Sequence, residues 1–275
     1  MVSFTPKDEQ NILVVGGGKM GSAMINGWLN MGIAAHKISL IDPNKSVLSS
    51  YKALGLNTYE TVLELDKSES FDIFLLALKP QVIMQNLTDF NDLISQDTCL
   101  ISVAAGVSIQ TLKSFLPNAV HVVRVMPNTP AMIGKGVLVG FTDERETSLE
   151  TLIEGLFSKL GKFYWVEYED QMHQVTAISG SGPAYVFYFA QCFNEVAKEL
   201  GLNDDLAKAL ALETLIGTAS LIDESQDSVV QLRKNVTSPN GTTQAGLEVL
   251  MSEQLIKERL LACCKAAENR SRELA

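Results

Sequence analysis

The sequence is short of the residues that several classes of site require. Its four cysteines form no CxxC pair and no paired Cys/His spacing, which argues against a zinc site or a disulfide framework. Positive charge is also scarce, since 22 Lys and Arg stand against 32 Asp and Glu, giving a formal net charge of −10. That balance argues against a nucleic-acid or anionic-membrane partner. We therefore expect reduced, buried thiols, no metal and no nucleic acid.

Long hydrophobic runs are missing as well. The longest, Ile73–Leu78 and Cys99–Val107, are far shorter than the roughly 18–20 residues that span a bilayer. The first residues, Met1–Gln10, are polar and include Asp8 and Glu9, so they do not resemble a signal peptide. With 46% apolar residues the chain has enough material for a packed core. These features predict a soluble, cytoplasmic protein.

The first part of the chain alternates short apolar runs with segments of helical period, which predicts βαβ units and a mostly parallel sheet. The predicted strands are Ile12–Val15, Lys37–Ile41, Asp72–Ala77, Thr98–Val103 and Val120–Val125, with edge strands at Val137–Phe141 and Phe163–Val166. The predicted helices are Lys19–Met31, Lys45–Leu54, Gln81–Ile94, Ile109–Phe115 and one near Glu144–Leu160.

The pattern changes after Glu167, beyond which no strand-like alternation occurs. Asn203 or Asp204 is a suitable N-cap for a helix to Ile222, and Gly246–Leu250 and Glu253–Asn269 continue the helical pattern. The fold class expected is an α/β N-terminal Rossmann-type domain over residues 1–166 and an all-α C-terminal domain over 167–275.

The first predicted strand ends in a glycine loop, Gly16-Gly17-Gly18-Lys19-Met20-Gly21, which contains GxGxxG and opens a helix. In this pattern the first glycine permits a tight turn and the second lets the backbone approach a pyrophosphate. The third lets the helix pack closely on the sheet. A lone GxGxxG is weak evidence, but its place between a first strand and a helix predicts dinucleotide binding.

Asp42 ends the second predicted strand, 21 residues after Gly21. A carboxylate there is placed to accept hydrogen bonds from the adenosine ribose and favours NAD over NADP. In Asp42-Pro43-Asn44 it is equally suited to starting a turn or capping the next helix. Lys45 is available for a 2′-phosphate, so both NADPH and NADH stay open.

Two further segments follow predicted strands, where ligands bind in open α/β sheets. They are Leu78-Lys79-Pro80-Gln81 and the segment Arg124–Pro130, which includes Asn128. Lys79 is a cofactor candidate or a solvated surface lysine. Asn128 between two prolines is a cofactor candidate or simple turn chemistry.

The helical part offers two more motifs. Ser179-Gly180-Ser181-Gly182-Pro183-Ala184-Tyr185 opens its first long helix, where Pro183 suits the first turn and small residues permit close approach. Thr237-Ser238-Pro239-Asn240-Gly241-Thr242-Thr243 precedes another helix and offers hydroxyls and free amides to a carboxylate. Helix capping explains the same residues without a ligand.

Together these motifs resemble the pyrroline-5-carboxylate reductase family, over nearly the whole chain. The resemblance implies a Rossmann domain, a helical dimerisation domain, a homodimer or ring of dimers, and active sites near the dimer interface. It also implies hydride transfer from NADPH or NADH to the C=N bond of 1-pyrroline-5-carboxylate, giving proline.

The resemblance implies roles for individual positions. On the cofactor side these are Gly16, Gly17, Gly18, Lys19, Met20, Gly21, Leu78, Lys79 and Ala105. The residue patterns described above add Pro80 and Asn128 as cofactor candidates, and Asp42 at the ribose. On the substrate side the resemblance implies Glu169, Asn235, Thr242 and Thr243, to which we add the amide of Gly241 as a carboxylate donor. The Thr243 hydroxyl is expected near the ring nitrogen, because a protonated imine needs orientation and a proton relay more than a catalytic histidine.

The chain departs from the family pattern in places. Lys19 replaces an uncharged residue, Asn240 replaces a glycine, and Asp42 stands where an NADPH-using enzyme accepts a phosphate. The adenosine-side asparagine of the family has no match near Glu60–Leu63.

Two alternative functions are also compatible with the sequence. A 3-hydroxyacid or ketopantoate-type dehydrogenase would need a general-acid lysine on the first long helix, where this chain has Val186. A nucleotide-sensing regulator would retain the cofactor site and lose the Thr237–Thr243 segment.

Overall fold

The protein combines an α/β unit with a helical unit. The computed structural model describes residues 10–66 and 68–275. One compact unit runs to Ser181 and also contains Ala267–Ala275, and the other is Gly182–Ala266. The functional boundary expected between residues 166 and 167 stays a prediction. The prediction that Met1–Gln10 is not a signal peptide concerns a stretch whose residues up to Glu9 lie outside the described residues.

An eight-stranded sheet organises the α/β unit, in the order β3-β2-β1-β4-β5-β6-β7-β8. All neighbouring strands run parallel except β6 and β7. The strands are β1 Ile12–Val15, β2 Ile38–Ile41, β3 Asn57–Tyr59, β4 Ile73–Leu76, β5 Cys99–Ser102, β6 His121–Met126, β7 Gly136–Phe141 and β8 Gly161–Trp165. The helices are α1 Lys19–Asn30, α2 Lys45–Ala53, α3 Pro80–Asn86, α4 Ile109–Phe115, α5 Thr147–Phe157 and α6 Gln171–Val175.

Both faces of this sheet are covered, as a parallel sheet requires. Ile12 and Val14 of β1 point into a core that includes Trp28 of α1 and Phe157 of α5. Leu13 and its neighbours on the other side of the strand point into a second core. The indole Nε1 of Trp28 donates to the Leu156 carbonyl at 2.9 Å, so even this large side chain is buried with its polar atom satisfied.

The predicted strands and helices of this unit are confirmed, apart from their ends and three differences. The helix predicted over Gln81–Ile94 is α3 followed by a 3₁₀ segment, Leu87–Leu93. The edge strand β3 escaped prediction because three partly exposed residues, Asn57-Thr58-Tyr59, give no apolar pattern. The strand β7 was expected at an edge, but it lies between β6, with which it pairs antiparallel, and β8, which forms the edge.

The helical unit contains α7 Gly182–Glu199, α8 Asp204–Glu224, α9 Val229–Asn235 and α10 Thr242–Leu250. It also contains the first part of α11 Leu255–Glu273, because the unit ends at Ala266 within that helix. The expected N-cap is confirmed, because the Asn203 side chain accepts a hydrogen bond from the Leu206 amide at 3.0 Å. Pro183 lies in the first turn of α7, also as expected.

Large apolar side chains of this unit are exposed within the single chain. Examples are Phe187, Tyr188, Phe189 and Phe193 on α7, and Leu210, Ile216 and Leu221 on α8. Large exposed apolar patches mark sites where a protein binds another protein, a membrane or a ligand. These helix faces are therefore candidates for an interaction surface.

All four cysteines are free, but only Cys99 is buried, whereas Cys263 is exposed in the single chain. The expectation that all four thiols are buried is thus wrong for Cys263 on α11, and also for Cys192 and Cys264, which are half-buried in the single chain. Across the described ranges, no helix is long and apolar enough to cross a membrane, and no cluster of metal-ligating side chains is found.

Candidate functional site

The glycine loop lies between β1 and α1, at the carboxyl end of the central strands. Gly16 has φ +104°, a conformation that glycine adopts readily. A Cβ on Gly16 would lie 2.7 Å from the Ala77 carbonyl oxygen and 3.0 Å from the Leu78 Cδ2 atom. The loop is therefore pressed against the end of β4, and the first glycine is sterically required.

The third glycine of the motif allows helix α1 to approach the loop. A Cβ on Gly21 would lie 1.9 Å from the Gly16 carbonyl oxygen, which no real Cβ tolerates. Gly18 differs, because nothing lies within 4 Å of its Cβ position and the residue is exposed. Its side of the loop is open, so a pyrophosphate can reach the backbone there.

The start of α1 supplies the electrostatics for such a ligand. Gly18 is its N-cap and provides no side-chain cap, and the first turn contains no acidic residue. First-turn amides of a helix lack intrahelical acceptors, and the helix dipole adds positive potential. The loop thus fits the diphosphate of a dinucleotide, both in shape and in charge.

Asp42 lies directly after β2 and contacts the glycine loop. Its Oδ2 accepts a hydrogen bond from the Gly17 amide at 2.6 Å, and its Oδ1 accepts one from the Asn44 amide at 2.7 Å. The side chain therefore joins the end of β2 to the loop and also starts a turn. Both interpretations of Asp42, ribose acceptor and turn residue, are compatible with this geometry.

Lys45 begins α2, just beyond Asp42. Its Nζ lies 3.0 Å from the Glu60 Oε1, in an exposed ion pair. The lysine considered for a 2′-phosphate is thus already paired with a carboxylate.

Three other cofactor candidates lie at the ends of neighbouring strands. Lys79 is exposed and is the N-cap of α3, with Pro80 as its first residue. Ala105 is half-buried in the segment between β5 and α4. Each lies at the carboxyl edge of the sheet, on the side of the glycine loop.

Asn128, after β6, is buried and has two internal partners. Its Nδ2 donates to the Ser179 carbonyl at 3.1 Å, and its Oδ1 accepts from the Val137 amide at 2.9 Å. Ser179 belongs to a single π-helical turn, Thr176–Gly180, of a kind that often occurs at functional sites. The Asn128 side chain therefore holds this turn, while its predicted contact with a cofactor stays a prediction.

The substrate candidates of the helical unit cluster at the end of α9 and the start of α10. Gly241 is the N-cap of α10 without a side-chain cap, and Thr242 and Thr243 are its first two residues. Asn240 has φ +58°, so the asparagine adopts the left-handed conformation expected of the glycine that it replaces. The turn exposes first-turn amides and two hydroxyls.

Asn235 ends α9 and is part of a local network. Its Oδ1 accepts from Gln231 Nε2 at 2.7 Å, and its Nδ2 donates to Asp227 Oδ2 at 3.1 Å. A cavity of about 330 Å³ between α9 and α10 is lined by Arg233, Lys234 and Glu248 together with two uncharged polar and two apolar side chains. Cationic side chains thus lie close to the turn that precedes α10.

Glu169 belongs to the α/β unit and is already engaged. Its Oε1 accepts hydrogen bonds from Arg124 Nη1 and from the Ile109 amide, each at 2.8 Å. Sequence reasoning missed this pair, because the two side chains are 45 residues apart and neither lies in a motif that predicts the other. The assignment of Glu169 to the substrate stays a prediction.

Comparison with known proteins covers both parts of the chain. Residues 169–274 match the family "Pyrroline-5-carboxylate reductase dimerisation", and residues 11–106 match "NADP oxidoreductase coenzyme F420-dependent". A pyrroline-5-carboxylate reductase of Pasteurella multocida is 35% identical over 94% of this chain and 97% of its own length.

Solved structures agree. A pyrroline-5-carboxylate reductase from Coxiella burnetii superposes with a TM-score of 0.88 at 32% identity, covering 97% of this chain and 98% of its own. A pyrroline carboxylate reductase from Plasmodium falciparum with NADP bound has a TM-score of 0.82 at 28% identity, covering the same shares of the two chains. The similarity therefore extends over nearly all of the chain in both sequence and fold.

Proposed function

Since this chain belongs to the pyrroline-5-carboxylate reductase family, we propose that its glycine loop binds the dinucleotide and the start of α10 binds the substrate. The protein is an NAD(P)H-dependent oxidoreductase that reduces the C=N bond of 1-pyrroline-5-carboxylate to proline, the last step of proline biosynthesis. The observation that carries this function is the 35% identity over 94% of the chain. The phosphate cradle at Gly16–Gly21 supports it independently.

The cofactor contacts we propose follow the carboxyl edge of the sheet. They are Gly16, Gly17, Gly18, Lys19, Met20 and Gly21 at the phosphates, Asp42 at the ribose, and Leu78, Lys79, Pro80, Ala105 and Asn128 toward the nicotinamide. The closeness of Gly16 to Ala77 and Leu78, and of Gly17 to Asp42, supports a common surface for these residues. When bound, NAD(P)H supplies the hydride.

The substrate contacts we propose are Asn235, Gly241, Thr242 and Thr243, whereas Glu169, which the resemblance also implies, is held by Arg124 and the Ile109 amide. The amides at the start of α10 hold the carboxylate, because a helix N-terminus favours an anion. The Thr243 hydroxyl hydrogen-bonds the ring nitrogen. In the balanced reaction one hydride adds to the ring carbon, and the proton of the iminium nitrogen stays on the product amine.

Replacing Thr243 with valine should lower kcat/KM for 1-pyrroline-5-carboxylate about 100-fold at saturating cofactor. The reason is the loss of one hydrogen-bond partner that orients the reacting C=N bond. The change is close to isosteric, so the helix start is preserved. Steady-state kinetics measure the effect.

Thr243→Ser is the matched control, because it keeps the hydroxyl and removes only a methyl group. We expect it to retain at least about a third of the activity, a loss of under 1 kcal/mol in transition-state stabilisation. Equal activity of Thr243→Val and the wild type would show that the hydroxyl has no role in the reaction.

We also propose that the protein uses NADH more efficiently than NADPH. A 2′-phosphate at the end of β2 would face the Asp42 carboxylate, and Lys45 is paired with Glu60. Asp42→Asn, which keeps one acceptor oxygen, should raise kcat/KM for NADPH relative to NADH by about tenfold, since ~1.4 kcal/mol of like-charge repulsion is removed. Initial rates with both cofactors give the ratio.

Asp72→Asn serves as the control for this prediction. Asp72 also accepts a hydrogen bond from a backbone amide, that of Asn11 at 2.8 Å, but it precedes β4 and so lies at the opposite edge of the sheet. Its cofactor ratio should match the wild type. A wild-type protein that prefers NADPH, or an unchanged ratio in Asp42→Asn, would contradict the role of Asp42.

We also propose how the chain is divided into domains and how it associates. Residues 1–166 are the NAD(P)-binding domain and 167–275 the dimerisation and substrate domain, a division supported by the family matches at 11–106 and 169–274. The exposed apolar helices support a homodimer, from which a ring of dimers can be built. The acidic net charge supports an enzyme without a nucleic-acid partner, and we propose that it acts in the cytoplasm.

A further inference from the structure

The segment between β5 and α4 carries one of the proposed cofactor contacts, Ala105. Gly106 follows it with φ +80°, and Ser108 caps α4 through the Thr111 amide. We call residues 104–108 the β5–α4 loop. Hydrogen bonds and contacts from two distant parts of the chain hold this loop in place.

The first support is the Glu169 carboxylate. One oxygen accepts from the Ile109 amide, at the first residue of α4, and from Arg124 of β6, each at 2.8 Å. Arg124 is only 4% exposed, and its strand position is level with Ser102 of β5, just before the loop. Glu169 thus ties the end of the β5–α4 loop to the neighbouring strand.

The ion pair between Arg124 and Glu169 involves a buried charge. The Arg124 Nε is buried without a hydrogen-bond partner within the described ranges, while the Nη1 of the same guanidinium bonds the Glu169 carboxylate. A buried charge without a partner is strongly unfavourable. The pair therefore fixes the position of Glu169, and through it that of Ile109.

The second support is the C-terminal turn of α11, which belongs to the same compact unit. A Cβ on Gly106 would lie 2.9 Å from the Leu274 carbonyl oxygen, so the turn backs directly onto the loop. Arg272 pairs with Asp170 through both of its terminal nitrogens, and Ser271 Oγ lies 2.9 Å from His173 Nδ1. The hydrogen bonds from Arg272 hold the pKa of the Asp170 carboxyl below its usual value.

The two supports meet at consecutive residues, Glu169 and Asp170. We propose that Glu169 is a positioning residue that sets the β5–α4 loop for cofactor binding, and that the Asp170–Arg272 pair reinforces it from the C-terminal turn. This inference rests on the proposed function, in which Ala105 faces the nicotinamide. It replaces direct contact of Glu169 with the substrate by an indirect role.

Glu169→Gln tests the inference, because glutamine keeps an acceptor oxygen and lets the protein fold while removing the charge. Its Kd for NADH, measured by fluorescence titration without substrate, should rise about tenfold, whereas KM for 1-pyrroline-5-carboxylate at saturating NADH stays within about twofold. Arg272→Met, an exposed change at the second support, should raise the same Kd by about threefold. Glu167→Gln, an exposed neighbouring carboxylate, should change neither constant.

Two results would overturn the inference. A higher KM for the substrate with an unchanged Kd for NADH would make Glu169 a substrate ligand. A lower Tm with both constants unchanged would make the pair merely structural. Since the titration needs no turnover, a protein that binds NADH but does not reduce pyrroline-5-carboxylate would contradict the proposed function and leave this test valid.

Discussion

Gly21→Ala is expected to abolish measurable cofactor binding. The added methyl group would lie 1.9 Å from the Gly16 carbonyl oxygen, so α1 and the loop must move apart. Overpacking of this kind costs about 1–3 kcal/mol of stability, and the displaced loop no longer presents its amides to the phosphates. We expect the Kd for NADH to rise at least about 100-fold, as measured by fluorescence titration alongside thermal unfolding.

Gly18→Ala separates steric damage from loss of the ligand site. Nothing lies within 4 Å of its Cβ position, and its φ of −67° and ψ of −172° suit alanine. The free energy of unfolding should therefore stay the same or rise by up to ~1 kcal/mol. Cofactor affinity should nevertheless fall, because the methyl group occupies the open side of the loop. If Gly18→Ala binds NADH as the wild type does, the pyrophosphate does not approach there.

Ile216→Glu is expected to convert the protein to monomers and to remove most of its activity. Ile216 lies on α8 and is 60% exposed in the single chain, among other apolar side chains of the helical unit. A carboxylate on an exposed position leaves the helix itself intact, but burying it in an apolar interface costs several kcal/mol. Sedimentation velocity at micromolar concentration measures the change in mass.

Leu63→Glu is the matched control for the interface. Leu63 is 90% exposed, is equally apolar, and lies in the α/β unit instead of the helical one. This variant should keep the oligomeric state and the activity of the wild type. A dimer that survives Ile216→Glu unchanged would place the interface away from this part of α8.

Local patterns predict most of the α/β unit. The aliphatic run Ile12–Val15 and the glycines after it encode a buried strand and a tight turn within a dozen residues, and the structure has both. In contrast, β3 has only three partly exposed residues, Asn57–Tyr59, and gains its strand conformation from pairing with β2. Such pairing depends on tertiary contacts, which the residues of the strand itself do not predict.

The candidate site also has a part that the local sequence predicts and a part that depends on tertiary contacts. The loop Gly16–Gly21 is predictable because its steric demands are local. The partners of Asp42, Asn128 and Glu169 are set by which strand ends become neighbours, as when Glu169 meets Arg124 across 45 residues. The residue types show that these side chains can form hydrogen bonds. The order of the strands in the sheet determines which groups become their partners.

The central claim is tested most directly by following NAD(P)H oxidation after 1-pyrroline-5-carboxylate is added to the purified protein. We predict oxidation of the nicotinamide with stoichiometric formation of proline, and no reduction of NAD⁺ or NADP⁺ by 3-hydroxyacids. Absence of pyrroline-5-carboxylate turnover with either reduced cofactor, in a protein that oxidises 3-hydroxyacids, would contradict the claim.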